Sequence, residues 1–89
     1  MPKMVITHEV SDVDTWLTFK SERADAVSGM GGRHVVDHVA HDGSKRVAVS
    51  AEIDDVEAMV AAIASPPPEL LGVMERHGVI PPLTVYVER

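Results

Sequence analysis

The residues with the most chemistry to offer are imidazoles, carboxylates, hydroxyls and one phenol spread along β-rich runs. They are Thr7 and Glu9, His34 and His38, Ser50 and Glu52, and Tyr86. Side chains alternate along a strand, so Thr7 and Glu9 oppose Ile6, His8 and Val10, while Ser50 and Glu52 oppose Val47, Val49, Ala51 and Ile53. Carboxylates and imidazoles beside apolar walls have displaced pKa values, which general acid–base catalysis needs. A Glu52–His34 or Glu52–Tyr86 pair could abstract and return a proton on an aromatic or enol-like ligand. Glu52, His34 and Tyr86 are thus the catalytic candidates, with Tyr86 a hydrogen-bond donor. Thr7, Glu9, His34, His38, Ser50, Glu52 and Tyr86 are the ligand-binding candidates. The carboxylates also admit a plainer role, as strand-end charges that are hydrated or paired with Arg33 or Arg46.

Other chemistries fit less well. His34 and His38 share a strand face, but four residues at about 3.3 Å each separate them by roughly 13 Å, too far to share a metal ion held at about 2 Å. His41 falls on the opposite face and His77 near a helix end, so no metal site is expected. His8, beside Ile6 and Val10, reads either as a hydrogen-bonded histidine at the rim of the helix-facing core or, with the register shifted by one, as a residue at a cavity mouth. No nucleophile has an activating base beside it. Gly29-Met30-Gly31-Gly32 precedes a strand rather than a helix, so it reads as a turn and not a phosphate loop.

These side chains depend on a simple order of elements. Met4–Val10 is a partly alternating strand. Ser11 is the expected N-cap of a helix carrying Val13, Trp16, Leu17, Lys20, Ala24 and Val27 at helical spacing to about Ser28, where the glycines stop it. Arg33–His41 is a second strand with His34, Val36, His38 and Ala40 on one face and Val35, Asp37, Val39 and His41 on the other. Asp42-Gly43 turns the chain into a third strand ending at Ile53. Asp54, with Glu57, is the expected cap of a helix with the stripe Val56, Met59, Val60 and Ile63. Ser65-Pro66-Pro67-Pro68 stops it and starts a short helix burying Leu70, Leu71 and Met74. Gly78 ends that helix, and Pro81-Pro82 delivers the chain to a last strand, Leu83–Val87. The order β-α-β-β-α-(α)-β predicts an α+β class domain over residues 1–89: a ferredoxin-like antiparallel sheet with helices on one face.

Eighty-nine residues bury only about 60–65% of the unfolded chain's surface. Yet 45% of the sequence is apolar, and Val5 and Thr7, Ala48 and Ser50, Thr84 and Tyr86 make the second sheet face half apolar. Such a face suits the sheet of a partner better than water. Fourteen acidic residues against eight basic ones give a net charge of −6, so neither nucleic acid nor an anionic membrane is an expected partner. The absence of cysteine excludes disulfides and thiolate chemistry. MPKMVITHEV has no apolar run long enough for a signal peptide or span, and the expectation is a soluble, cytoplasmic protein.

His8, Val10, Asp12, Trp16 and Lys20, the later hairpin, the helix after Asp54-Asp55, and the Ser65-Pro…Met74…Gly78-Val79 segment together resemble the small dimeric α/β-barrel proteins. The resemblance spans nearly the whole chain and is carried mainly by architectural motifs. It implies a homodimer whose two sheets close into a barrel around a ligand cavity, on which the second-face residues would converge. The superfamily includes antibiotic-biosynthesis-type monooxygenases needing no cofactor, haem-degrading enzymes, small isomerases and cyclases, and proteins of no known activity. The haem-degrading members use an Asn–Trp–His set, whereas this chain contains no Asn. Its one Trp is expected in the core rather than beside a cavity. Two functions stand side by side: a cofactor-free enzyme acting on a small flat apolar or aromatic ligand, and a non-catalytic homodimeric binding or structural module.

Overall fold

A computed structural model describes residues 2–89. Lys3–Val10 (β1), Gly32–Val39 (β2), Arg46–Ile53 (β3) and Val79–Val87 (β4) form one antiparallel sheet in the order β2-β3-β1-β4. Val13–Thr18 (α1), Lys20–Gly29 (α2), Val56–Ala64 (α3) and Pro68–Arg76 (α4) complete the ferredoxin-like arrangement. β1 and β3 are central because each is apolar on the helix-facing side: Met4 and Val10, then Val47, Val49, Ala51 and Ile53, are buried. Met59 of α3 closes one core cluster over Met4, Ala51 and Ile53, and Trp16 of α1 closes the other over Val10, Val47 and Val49.

The helical layer departs from the sequence expectation in its details. Asp12, not Ser11, caps α1, its Oδ1 accepting from the Asp14 amide at 3.0 Å. The expected single helix is broken at Phe19. Thr18 Oγ1 donates back to the Thr15 carbonyl at 2.6 Å, and the Phe19 amide takes a tightened three-residue bond to the Trp16 carbonyl. Beyond the break, α2 buries Arg23 and leaves Lys20 exposed. Asp55, one residue past the expected Asp54, caps α3 by accepting from the Ala58 amide. Val60 and Leu71, expected in the buried stripes, are 40% and 45% exposed, and α4 has no fully buried residue.

β2 runs in the register expected from its pattern. Asp37 pairs with Val49 on the helix side, and His38 pairs with Ala48 on the other. A bulge between Arg33 and Val36 puts His34 at φ 53°. β4 is longer than expected, starting at Val79. Pro81, Pro82 and Leu83 form an irregularity between Ile80 and Thr84 opposite His8. This is a place where prolines can sit in a strand, because their missing N–H groups break no ladder bond.

Gly32 marks where α2 presses hardest on the sheet. A methyl group there would overlap the Val27 side chain and approach the Ile53 δ-carbon at 3.1 Å. Gly32→Ala is expected to destabilise the fold by about 1–3 kcal/mol, the usual cost of overpacking, as read by urea unfolding. Gly29→Ala, with nothing within 4 Å of the added methyl, is the neutral comparison.

Candidate functional site

Two groups of polar side chains emerge, one on each face of the sheet. On the open face, His34 Nδ1 meets Glu52 Oε2, and His38 Nε2 bonds Ser50 Oγ at 3.0 Å. Thr7, His38 and Tyr86 border one shallow depression. Glu9 lies apart, paired with Arg46 at 3.4 Å. Glu52 and Tyr86 do not meet within one chain, since β1 stands between their strands and spaces them by about 10 Å. His34 and Tyr86 are 80% (side chain) and 59% exposed. The His34 contact holds the Glu52 carboxyl below its ordinary value, so Glu52 is an ionised carboxylate.

The second group was not anticipated. Arg23 of α2 is buried against the sheet, where Nε and Nη2 donate to the two Asp37 oxygens at 2.9 and 2.8 Å. Nη2 also donates to the Trp16 carbonyl at 3.1 Å, replacing the helical partner lost at the Phe19 break. The guanidinium carbon stands 3.8 Å from the centre of the Trp16 ring, a cation–π contact. Arg23 Nη1 reaches His77 Nδ1 at 3.1 Å. An arginine can only donate, so that nitrogen must accept, and the His77 proton sits on Nε2, which donates to Glu22 Oε1 at 2.9 Å. Phe19 stacks on the same imidazole with centroids 4.6 Å apart. Burial lowers the His77 pKa and the Glu22 bond only partly offsets it, while Arg23 opposes a second proton.

His8 lies next to this chain of contacts. It is helix-facing and hydrogen-bonded, with its ring edge-on to Trp16 at 6.2 Å. Nδ1 contacts the Glu9 carbonyl at 2.9 Å, an arrangement that places the proton on Nδ1 and a free lone pair on Nε2. Burial pushes the His8 pKa down, the Glu9 bond opposes this, and Arg23 lowers it further. The ring is therefore a neutral base at pH 7.

His8, Trp16, Arg23 and His77 all border one cavity of about 90 Å³ between the helices and the sheet, otherwise lined by apolar side chains such as Met30, Met59 and Leu70. The Trp16 indole N–H is buried and without a hydrogen-bond partner among the described residues. Trp16 is thus in the core as expected, yet it also borders a cavity, which was not. A groove of about 500 Å³ between α2 and α4 leads toward it, sharing Ala26, Met30, Leu70 and Val73. Among the described residues no three His, Cys, Asp or Glu side chains converge as a metal site.

The sequence carried a usable sign of this group. Asp37 interrupts the Val35 and Val39 face of β2, and Arg23 lies seven residues beyond Trp16, two helical turns along the same side, whereas the expected stripe ran through Lys20 and Ala24.

The histidines predict how acid acts on the fold. Folded His8 and His77 hold protons less tightly than their ordinary 6.5. The unfolded chain therefore takes up protons first as the pH falls through that value, and stability falls with it. Glu22 and Glu52, held below 4.5, add a second loss at lower pH. Urea midpoints are expected to be level above about pH 7.5 and to decline in both windows. Replacing His77 by Phe should flatten the first decline, and an unchanged profile in that variant would contradict this origin.

The chain matches no family model and no curated protein. Its fold does match solved structures. A candidate antibiotic biosynthesis monooxygenase of Bordetella bronchiseptica superimposes with a TM-score of 0.65 at 16% identity, over 99% of this chain and 94% of that one. A variant of SnoaB, a cofactor-independent oxygenase of Streptomyces nogalater, gives 0.65 at 14% identity, over 99% and 92%. A dimeric ferredoxin-like protein from an uncultured marine organism gives 0.54 at 11% identity, over 100% and 92%. The ferredoxin-like fold of the antibiotic-biosynthesis-monooxygenase-like proteins is therefore the fold of this chain.

Proposed function

We propose that this protein is a homodimer that binds a small, flat, largely apolar ligand and begins its chemistry by removing a proton, with no metal or organic cofactor. The observation that carries the reading is the inner cavity, where the neutral base His8 borders an otherwise largely apolar wall beside Trp16, Arg23 and His77. Apolar pockets with a few convergent polar groups and displaced pKa values are where small-molecule sites usually lie. His8 Nε2 would take the proton of a phenol or enol. An electron-rich anion of this kind can pass electrons to dioxygen directly. One oxygen atom then joins the ring and the other leaves as water with the two hydrogens lost. The fold shared with SnoaB supports that variant, while isomerisation or cyclisation would use only the proton transfers.

The open face supports the dimer. Val36, Ile80 and Tyr86 are large, apolar and 48%, 42% and 59% exposed on it. In this reading Thr7, His38, Ser50 and Tyr86 line the join between two sheets, and His34–Glu52 is a hydrogen-bonded pair at its edge. A cytoplasmic setting and a lack of nucleic-acid or membrane partners belong to the same reading. They are supported by the −6 net charge, and among the described residues no helix is long and apolar enough to cross a membrane.

One observation favours the non-catalytic alternative: about 90 Å³ is small beside the roughly 300–1,000 Å³ of typical ligand sites. A ligand larger than one ring would have to part α2 from α4. Oxygen uptake over a panel of phenolic and enolisable rings decides between them. Turnover by the native protein is expected to fall at least about 100-fold in His8→Phe and to survive in His34→Ala. Loss in His34→Ala with retention in His8→Phe would move the chemistry to the open face. No turnover by the native protein on any ring would leave the binding module.

A further inference from the structure

We propose that the outer groove between α3, α4 and β4 docks an amphipathic helix of a basic partner protein, an interaction that needs no ligand in the inner cavity. The groove holds about 450 Å³, and every residue lining it is apolar, Val60, Leu71, Met74, Leu83 and Val85 among them. The composition of α3 shows that this side is built to be covered. Glu57 is its only polar residue, and a helix that is apolar all round is normally buried all round. Here only Met59 is buried, while Ala58, Ala61 and Ala64 are exposed and Val60 is 40% exposed. Across the groove on α4, Leu71 is 45% exposed. Val60, Ala64 and Leu71 thus present apolar surface from both banks.

The charges around the groove decide what covers it. Glu57 lies one turn before Val60 and Glu75 one turn after Leu71, so carboxylates flank the apolar strip. Both are exposed, and neither forms an ion pair among the described residues. The last turn of α3 carries no basic side chain, which leaves its negative dipole end uncompensated. No Lys or Arg lines the groove. A second copy would bring the same carboxylates and its own net charge of −6 to the contact, and like charge opposes it. A partner with Lys or Arg flanking its apolar side chains supplies the missing cations. Helical form follows from the walls. Anchors at i, i+3, i+4 and i+7 suit a gap between two helices. β4 is an edge strand, but Pro81 borders the groove and offers an added strand no N–H.

The probe is an amphipathic Leu/Lys peptide of about 15 residues, long enough to form a helix on contact, with a Leu/Glu peptide of the same pattern as its control. Titration of the native protein, followed by the methyl signals of Leu71 and Met74, is expected to saturate with the Leu/Lys peptide and to be at least about tenfold weaker with the Leu/Glu peptide. Val60→Ser with Leu71→Ser, two exposed positions, should weaken the Leu/Lys peptide at least about tenfold. Glu57→Gln with Glu75→Gln should weaken it about threefold and flatten its salt dependence. Equal binding of the two peptides, shifts centred on Val36 and Tyr86, or no binding of either would overturn the proposal. So would a lower oligomeric state of the Val60→Ser, Leu71→Ser variant in sedimentation velocity, which would give the groove to a second copy. Partition of the native protein onto phosphatidylcholine vesicles, lost in that variant, would give it to a lipid surface instead.

Discussion

Asp37→Ala is expected to lower stability by about 3–5 kcal/mol, the cost of leaving one partner of a buried ion pair uncompensated. The side chains of Arg23 and Asp37 are 8% and 5% exposed, so little water is available to replace the lost carboxylate. A domain of 89 residues has about 4–13 kcal/mol in all, at roughly 0.05–0.15 kcal/mol per residue, so the substitution removes a large share of it. Arg23→Ala should be equally damaging for another reason: it strips partners from Asp37, the Trp16 carbonyl and His77 Nδ1 at once. The double variant Arg23→Met with Asp37→Leu is the informative control. Replacing a whole buried pair by apolar groups is often neutral, so it should regain most of the Asp37→Ala loss. Urea unfolding followed by Trp16 fluorescence measures all three. An Asp37→Ala midpoint equal to that of the native protein would show that the pair does not hold α2 to the sheet.

The second large effect is expected on the open face. Val36→Asp with Tyr86→Asp should convert a dimer into a monomer, raising the dissociation constant at least about 100-fold, or about 2.7 kcal/mol. Val36 and Tyr86 lie outside both core clusters, so the helical layer should keep its fold. Two carboxylates facing the same pair on a second sheet would be desolvated and mutually repelled. Sedimentation velocity from about 1 to 100 μM resolves the change. A native protein that sediments as a monomer throughout, or a double variant that still dimerises, would remove the sheet-to-sheet interface from the account.

Element order and strand faces were legible in the sequence because they rest on long-lived periodicities. Val47, Val49, Ala51 and Ile53 alternate cleanly, and that alternation determined which residues of β1 and β2 face the helices through the pairing. Even the uncertain β2 came out with His38 on the open side, and His34, within the bulge, reaches Glu52 there. What could not be read was the phase of α2. It turns on one carbonyl, that of Trp16, which accepts from the Phe19 amide and from the Arg23 side chain. Residue type marks an arginine for solvent, and only the three-dimensional nearness of Asp37 makes its burial affordable. The caps moved by one residue for a similar reason: Ser11 and Asp12, and Asp54 and Asp55, are adjacent residues of comparable capping strength. The polar face carrying Glu52 and His34 was correctly grouped, but grouping by face does not say which face encloses space. The enclosed volume lies on the other side of the sheet, where most positions are apolar and His8 looks like a core residue.

The most direct test of the central claim is a crystal structure of the protein soaked with 4-hydroxyacetophenone. The account predicts the ring between the sheet and α2–α4, its hydroxyl within hydrogen-bond reach of His8 Nε2. A ring bound instead against Tyr86, His38 and Ser50 on the open face, with the inner cavity unchanged, would contradict it.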